Sequence, residues 1–161
     1  MEKETVEESR ELRSEGKAPT TQASPFVHEE IEHVREGKHG ARSTKQAIAI
    51  GLSKARRAGV KLPTPPRGRV SERTRASAAS ALRRAGRKPS PTRARAVRGA
   101  LKREGRAAAS RAALARQART AARARTPRQR SASARRAVRT KGPSGRSAAA
   151  RKAARTRKRR A

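Results

Sequence analysis

The chain contains no cysteine, tryptophan, tyrosine or aspartate, and Phe26 is its only aromatic residue. Without cysteine it can form neither a disulfide framework nor a thiolate metal site. No apolar run approaches the length of a transmembrane helix, and the acidic first residues lack the features of a signal or transit peptide. The residue constellations of known catalytic sites are also missing. We therefore expect a cytoplasmic, non-enzymatic protein with no cofactor, no metal and no membrane insertion.

Large apolar side chains are scarce, which limits the size of any hydrophobic core. Hydrophobic residues make up 32% of the chain, and most of them are alanine, which buries little area. High net charge with low hydropathy is typical of disorder. We predict a mostly α and disordered protein, in which a short helical hairpin head precedes a low-complexity Ala/Arg tail. The tail would consist of conditional helices, interrupted by Pro and Gly, that form when phosphates neutralise the arginines.

The charge is strongly segregated along the chain. Residues 1–40 hold ten glutamates and six basic residues, whereas residues 41–161 hold 39 basic residues and two glutamates. The second region alone carries +37, and the whole chain carries +33. Such a region requires a polyanionic partner, and nucleic acid fits better than an anionic membrane.

The clearest local signals surround the stretch from Lys38 to Pro63. Ser43 is a suitable N-cap, and Gln46 three residues later completes a capping box. Gly59 can take the left-handed conformation that ends a helix. These signals predict a helix over about 44–58.

A shorter helix is predicted over 24–36, with Ser24 as N-cap and Pro25 in the first turn. The two helices can pair as a hairpin through six residues: Val27, Ile31, Val34, Ile48, Leu52 and Ala55. Ile50 points away from this stripe. It is either a weak homodimer contact or a partly exposed residue.

Four regions follow from these observations. They are an acidic disordered arm over 1–23, the hairpin head over 24–62, a Pro-rich linker over 63–70 and the polycationic tail over 71–161. In the tail, helices are expected to begin after Ser71, Ser90 and Thr126 and to break at the Gly142–Pro143 pair. The segments that follow Ser71 and Ser90 correspond at an offset of 19, either as a repeat or by chance. Ser90 and Thr126 are also candidate phosphorylation sites, with plain helix capping as the alternative.

Two features of the head admit a functional interpretation. His28 with Glu32, and Glu29 with His33, have the i, i+4 spacing of metal ligands, but no third ligand has convincing spacing, and solvated polar positions are the alternative. The loop K-H-G-A-R-S, made flexible by Gly40, could hold one phosphate at the free N–H groups of the following helix N-terminus, with Lys38, Arg42 and Lys45 around it. The alternative is ordinary loop chemistry before a capped helix.

The basic residues themselves predict sequence-tolerant binding of duplex DNA. Arginine engages phosphate through a two-pronged fork, and such contacts carry no sequence information. The tail has no aromatic residue to stack on unpaired bases. The candidate DNA-binding residues are Arg42, Lys45, Lys54, Arg56, Arg57, Arg83, Arg84, Arg111, Arg116, Arg119, Arg123, Arg125, Arg135, Arg136, Lys152, Arg155, Arg157, Lys158, Arg159 and Arg160.

Two resemblances bear on this interpretation. The segment K-H-G-A-R-S-T-K-Q-A-I-A-I-G-L-S-K-A-R-R-A-G-V-K-L-P resembles the signature of a family of small, basic, uncharacterised bacterial proteins, some labelled DNA-binding or plasmid-stabilisation. The tail resembles bacterial linker-histone-like proteins, with arginine in place of most lysines. The second resemblance implies binding and condensation of DNA.

We therefore predict a nucleoid-associated or DNA-compacting protein that acts by neutralising phosphate charge. Two alternatives stay open. The first is an RNA-binding or ribosome-associated protein, since A-form backbones also accept arginine-rich helices. The second is an adaptor whose head binds a protein partner while the tail localises it on nucleic acid.

Overall fold

The computed structural model describes residues 2–68, 70–87 and 90–159. No strand occurs in these ranges, and the predicted mostly helical class is confirmed. One compact unit ends at Gln117 and a second begins at Ala118. The helices are α1 (Lys3–Ser14), α2 (Pro19–Gln22), α3 (Ser24–Arg35), α4 (Thr44–Arg57), α5 (Glu72–Arg83), α6 (Pro91–Lys102), a 3₁₀ turn (Ala107–Ala109), α7 (Arg111–Arg123) and α8 (Pro127–Lys158).

Helices α3 and α4 pack together as predicted, but α4 uses a different face. Its buried positions include Thr44, Ala47, Gly51 and Ala55, which recur every three or four residues and so share one side of the helix. Ile48, in contrast, is half-buried and, unlike Val27 and Leu52, is not among the residues packed against either core cluster. The prediction that Ile48 packs in this seam is therefore wrong.

The reason is the close approach of the two backbones at Gly51. A Cβ atom at this position would lie 2.7 Å from the Cα of Val27 and 2.9 Å from the carbonyl oxygen of Phe26. Only a residue without a side chain fits there. The small residues on either side of Gly51 therefore form the seam, and the larger isoleucine is displaced from it.

The cap of α4 is confirmed, with one difference in detail. The Ser43 hydroxyl accepts the N–H of Gln46 at 3.2 Å, while the Gln46 side chain accepts the N–H of Arg42, one residue before the expected partner. At α3 the prediction is wrong, because Ala23 is the N-cap. Ser24 instead donates to the carbonyl of Thr21 at 2.7 Å, since the short α2 leads almost directly into α3.

The core of the first unit consists of two small clusters. One contains Ile31, Val34, Ala41, Ala47, Ala108 and Ala109, with Val27 and Leu114 packed against it. The other contains Ala23, Phe26, Ala55, Val60 and Leu62, with Val6 and Leu52 packed against it. Both therefore draw on residues outside the predicted hairpin.

Most of residues 2–23 are helical, whereas the sequence predicted a disordered arm over 1–23. Helix α1 packs against α3, with Thr5 and Ser9 buried. The Ser9 hydroxyl donates to the carbonyl of Gln22 at 2.7 Å, and Val6 contacts the second core cluster. Helix α1 therefore packs on the head through short side chains. The acidic composition of the segment does not indicate this packing.

The helices of the Ala/Arg region begin and break at the predicted residues. Helices α5 and α6 have 12 residues each, and they begin 19 residues apart. The Thr126 hydroxyl and the Gln129 side chain cap α8 reciprocally. Helix α8 is interrupted at Gly142, where φ is 62° and ψ is −179°, next to Pro143. The disorder expected for this region stays a prediction.

Candidate nucleic-acid interface

Helix α8 presents an exposed polycationic surface. It contains twelve lysines and arginines and no acidic residue, and Glu104 is the last acidic residue of the chain. None of its residues is buried. A helix with no buried face and no carboxylate of its own has its charge available for an external anion.

The basic residues predicted from the tail share this exposure. Among the described residues, all of the predicted tail positions are exposed on the surface. Arg160 lies outside the described residues. The exposed positions are Arg83, Arg84, Arg111, Arg116, Arg119, Arg123, Arg125, Arg135, Arg136, Lys152, Arg155, Arg157, Lys158 and Arg159.

The five basic residues predicted from the head divide into two groups. Arg42, Lys45 and Arg57 are exposed. Lys54 and Arg56 instead serve interior contacts, so their charged groups are engaged within the head. Of these five head residues, only Arg42, Lys45 and Arg57 therefore remain candidates for the interface, together with the exposed tail positions.

Arg56 is a buried structural residue. Only 6% of its surface is exposed, and it donates to the carbonyl of Pro63 at 3.0 Å and to that of Leu52 at 3.5 Å. Burial lowers the pKa of its guanidinium. These bonds fasten the start of the Pro-rich linker to the end of α4.

Lys54 neutralises two buried carboxylates on α3. Its ammonium lies 2.9 Å from Glu29 Oε1 and 2.7 Å from Glu30 Oε2. Burial of Lys54 lowers its pKa, but the two carboxylates outweigh this effect and the pKa is raised. For the carboxylate of Glu29, burial has the opposite effect and raises the pKa. Hydrogen bonds from Lys54 and Thr5 outweigh this effect and lower the pKa to about 2. The sequence interpretation missed this role.

The loop that contains Gly40 is held against the segment around Glu104 by backbone hydrogen bonds. The N–H of Gly40 donates to the carbonyl of Leu101 at 2.9 Å, and that of Ala41 donates to the carbonyl of Gly105 at 3.0 Å. These two N–H groups are therefore used by the protein itself, and a phosphate contact at the N-terminus of α4 stays a prediction. A Cβ at position 40 would lie 1.8 Å from the carbonyl oxygen of Glu104, which explains glycine at this position.

The 3₁₀ turn Ala107–Ala109 is thereby built into the head. Ala109 is fully buried. The Thr44 hydroxyl donates to the carbonyl of Ala108 at 2.6 Å, and Arg35 Nε donates to that of Ala109 at 3.0 Å. A segment of the predicted polycationic tail is thus a structural part of the first unit.

The remaining partner predictions concern the membrane and Ile50. Over the described ranges, no helix combines the length and the apolarity that a membrane crossing requires. Ile50 is half-buried, and its role as a homodimer contact stays a prediction.

In the comparisons with known proteins, a match is found only for residues 27–66, most of which belong to the head. Residues 27–66 match the model of a family of unknown function (DUF6496). This range covers most of α3, the Gly40 loop, α4 and the first part of the Pro-rich linker. No curated protein matches the chain, and no solved structure does.

Proposed function

We propose that this protein binds duplex DNA without strong sequence preference and compacts it, as a nucleoid-associated protein. The observation that carries the proposal is the exposure of all twelve basic residues of α8 without an accompanying carboxylate. Residues 118–161 contain 17 basic and no acidic residues. A partner that brings many regularly spaced negative charges would relieve the repulsion among them.

The distribution of charge around α8 supports contact with more than one phosphate backbone. At 3.6 residues per turn, Arg128, Arg135 and Arg139 fall on one side of the helix. Arg130 and Lys141 fall on the opposite side. A helix with exposed cations on two sides can contact both walls of a groove or lie between two duplexes, and the second arrangement would bridge and compact DNA.

Duplex is favoured over unpaired nucleic acid because stacking groups are absent. Phe26, the only aromatic residue, is fully buried in the head. Recognition of unpaired bases relies largely on exposed aromatic or planar groups. Arginine can stack in part, but its fork suits phosphate oxygens without regard to sequence.

The proposal is tested by the salt dependence of DNA affinity, measured with the full chain. If about ten phosphates are neutralised, log K falls against log salt with a slope of about −9. Replacing Arg128, Arg130, Arg135, Arg139 and Lys141 with glutamine should reduce the steepness of this slope by about 4. The matched control replaces the four arginines with lysine, which keeps the charge and should largely keep the slope.

Two results would overturn the proposal. One is a slope shallower than about −3 for the unaltered chain, since it would mean that few phosphates are contacted. The other is unchanged affinity in the glutamine variant. Competition between duplex DNA and structured RNA at equal salt distinguishes the RNA-binding alternative, which predicts that RNA displaces DNA and not the reverse.

A further inference from the structure

A cluster of one glutamate and two histidines lies beside the Lys54 ion pairs. Glu30 and His33 are on α3, and His39 is in the loop before α4. One oxygen or nitrogen atom from each of the three lies within 4.8 Å of the others. The cluster therefore differs from both pairs that the sequence spacing offered, since only His33 belongs to one of them.

The hydrogen bonds of the two imidazoles use one ring nitrogen of each, and the other nitrogen of His33, Nδ1, lies 3.9 Å from Oε1 of Glu29. His39 Nδ1 lies 3.0 Å from the carbonyl oxygen of Gly40, which can only accept, so this nitrogen carries the proton. His33 Nε2 lies 3.0 Å from a carboxylate oxygen of Glu2. Metal-binding histidines usually donate their other ring N–H to a carbonyl or a carboxylate in this way.

Glu30 is the buried carboxylate that faces these rings, and Lys54 pairs with only one of its two oxygens. It is fully buried, and neither carboxylate oxygen accepts a hydrogen bond among the described residues. Oε2 is 2.7 Å from Lys54 Nζ, an ion pair without hydrogen-bond alignment. Oε1 lies 3.3 Å from Nε2 of His39. With a single His39 proton, on Nδ1, two lone pairs meet there, and either a second proton on Nε2 or a metal cation between the two atoms resolves this contact.

The surroundings favour a cation at this position. His33 also borders a cleft between α1 and α3 whose lining includes Glu2, Glu4, Glu8 and Lys38 but neither Glu30 nor His39. Both imidazoles are largely buried, with 15% and 14% of the His33 and His39 side chains exposed. In a partly dry site, the neighbouring carboxylates offset the positive charge of Lys54 and attract a divalent ion.

We propose that Glu30, His33 and His39 bind one divalent transition-metal ion, of which Zn²⁺ is the best match. Two imidazoles and a carboxylate are a ligand set that suits zinc, whereas Mg²⁺ and Ca²⁺ prefer oxygen ligands. Zinc bonds of about 2.0–2.1 Å place tetrahedral ligand atoms about 3.3 Å apart, so atoms that now lie within 4.8 Å of one another must approach by up to about 1.5 Å. Rotation of the His33 and His39 side chains would have to supply this movement.

The ion would have a structural role in holding the Gly40 loop. His39 is adjacent to Gly40, whose N–H holds the carbonyl of Leu101. A metal that joins His39 to α3 fixes the loop, and with it the segment that ends in the buried Ala109. The site goes beyond the proposed DNA binding and does not depend on it.

The test is titration of full-length protein, freed of metal by a chelator, with ZnCl₂ in the absence of DNA. We expect one ion per chain with a dissociation constant below about 10 μM, a binding free energy larger than about 7 kcal/mol in magnitude. Excess Mg²⁺ should not displace the ion. NMR of the histidine ring nitrogens should show shifts at His33 and His39. Absence of saturable binding, or shifts confined to His28, would overturn the proposal.

Two variants complete the test. His39→Ala should weaken zinc binding by about 10-fold to 100-fold or more. His28→Ala is the matched control, because this histidine lies on the same helix as His33 and its side chain is 79% exposed. It should bind zinc like the unaltered chain. Zinc should also raise the melting temperature of both proteins by the same amount. Equal affinity of His39→Ala and the unaltered chain would contradict the proposal, and the NMR measurement decides the matter if His39→Ala does not fold.

Discussion

The hydroxyl of Thr44 donates a hydrogen bond of 2.6 Å to the carbonyl of Ala108, although 64 residues separate the two in the chain. Thr44 is the first residue of α4, and Ala108 is in the middle of the 3₁₀ turn. Both are buried. This bond attaches a segment of the arginine-rich half of the chain to the head, so the first unit extends well beyond the helical pair.

Thr44→Val should therefore destabilise the first unit. The substitution keeps the shape of the side chain but leaves the buried carbonyl of Ala108 without this donor, at a cost of about 1–3 kcal/mol in the free energy of unfolding. Urea denaturation followed by circular dichroism measures the loss. Thr44→Ser, which keeps the hydroxyl, is the control and should cost less. Equal stability of Thr44→Val and the unaltered chain would show that the bond contributes nothing.

Gly40→Ala should separate the loop from the segment around Glu104. The added Cβ would lie 1.8 Å from a backbone oxygen, which cannot rotate away as a side chain can. We expect amide hydrogen exchange at the neighbouring Ala41 to accelerate by about tenfold or more, since overpacking costs about 1–3 kcal/mol. Gly105→Ala is the control, because its Cβ would meet no atom within 4 Å. Undiminished protection of Ala41 would contradict this account.

Gly51→Ala tests the close contact of α3 and α4. Alanine is favoured over glycine in a helix by about 1 kcal/mol, so propensity alone predicts stabilisation. The contact with the backbone of Val27 reverses the sign, and we expect a net loss of about 1–3 kcal/mol in the free energy of unfolding. Gly99→Ala on α6 has nothing closer than 4.0 Å to its added Cβ, so it should show the stabilisation. Thermal unfolding of both variants separates the two effects.

The buried ion pairs predict loss of stability in acid. The pKa of Glu29 is lowered from 4.5 to about 2 in the folded protein. A depressed carboxylate pKa contributes stability above the unfolded value, and this contribution is lost as pH falls from about 4.5 to about 2. Urea unfolding at several pH values should show the decline.

Glu29→Gln should reduce both the stability at neutral pH and the steepness of this acid decline. Glu7→Gln is the matched control, because it removes one glutamate from the exposed surface of α1. It should keep the acid decline of the unaltered chain. If Glu29→Gln and Glu7→Gln gave the same pH profile, the ion pair with Lys54 would not be the source of the decline.

Helix α8 should exchange its amide hydrogens much faster than α3 and α4. No residue of α8 is buried, and its arginines repel one another, so local opening costs little free energy. Residues of α3 and α4 lie in the core and should be protected. Addition of duplex DNA should slow exchange in α8 and leave α4 nearly unchanged. Equal protection of α8 and α4 without DNA would contradict this expectation.

The local signals of the sequence were sufficient to place most helix ends. Ser43 with Gln46 and Thr126 with Gln129 mark the starts of α4 and α8, and the Gly142–Pro143 pair marks the break. Caps and breaks act over three or four residues, so they can be read from the sequence directly. The separation of acidic and basic regions is equally a property of the sequence, and it is the basis of the proposed function.

Only the tertiary structure decided which residues meet. The seam of α4 uses Ala47, Gly51 and Ala55 because backbones approach closely there, although Ile48 is the more hydrophobic residue. Ala108 and Ala109 are held in the core by hydrogen bonds to their carbonyl groups. Because every residue has a carbonyl group, no sequence pattern predicts these bonds. The meeting of Glu30, His33 and His39 depends likewise on how the loop folds back over α3.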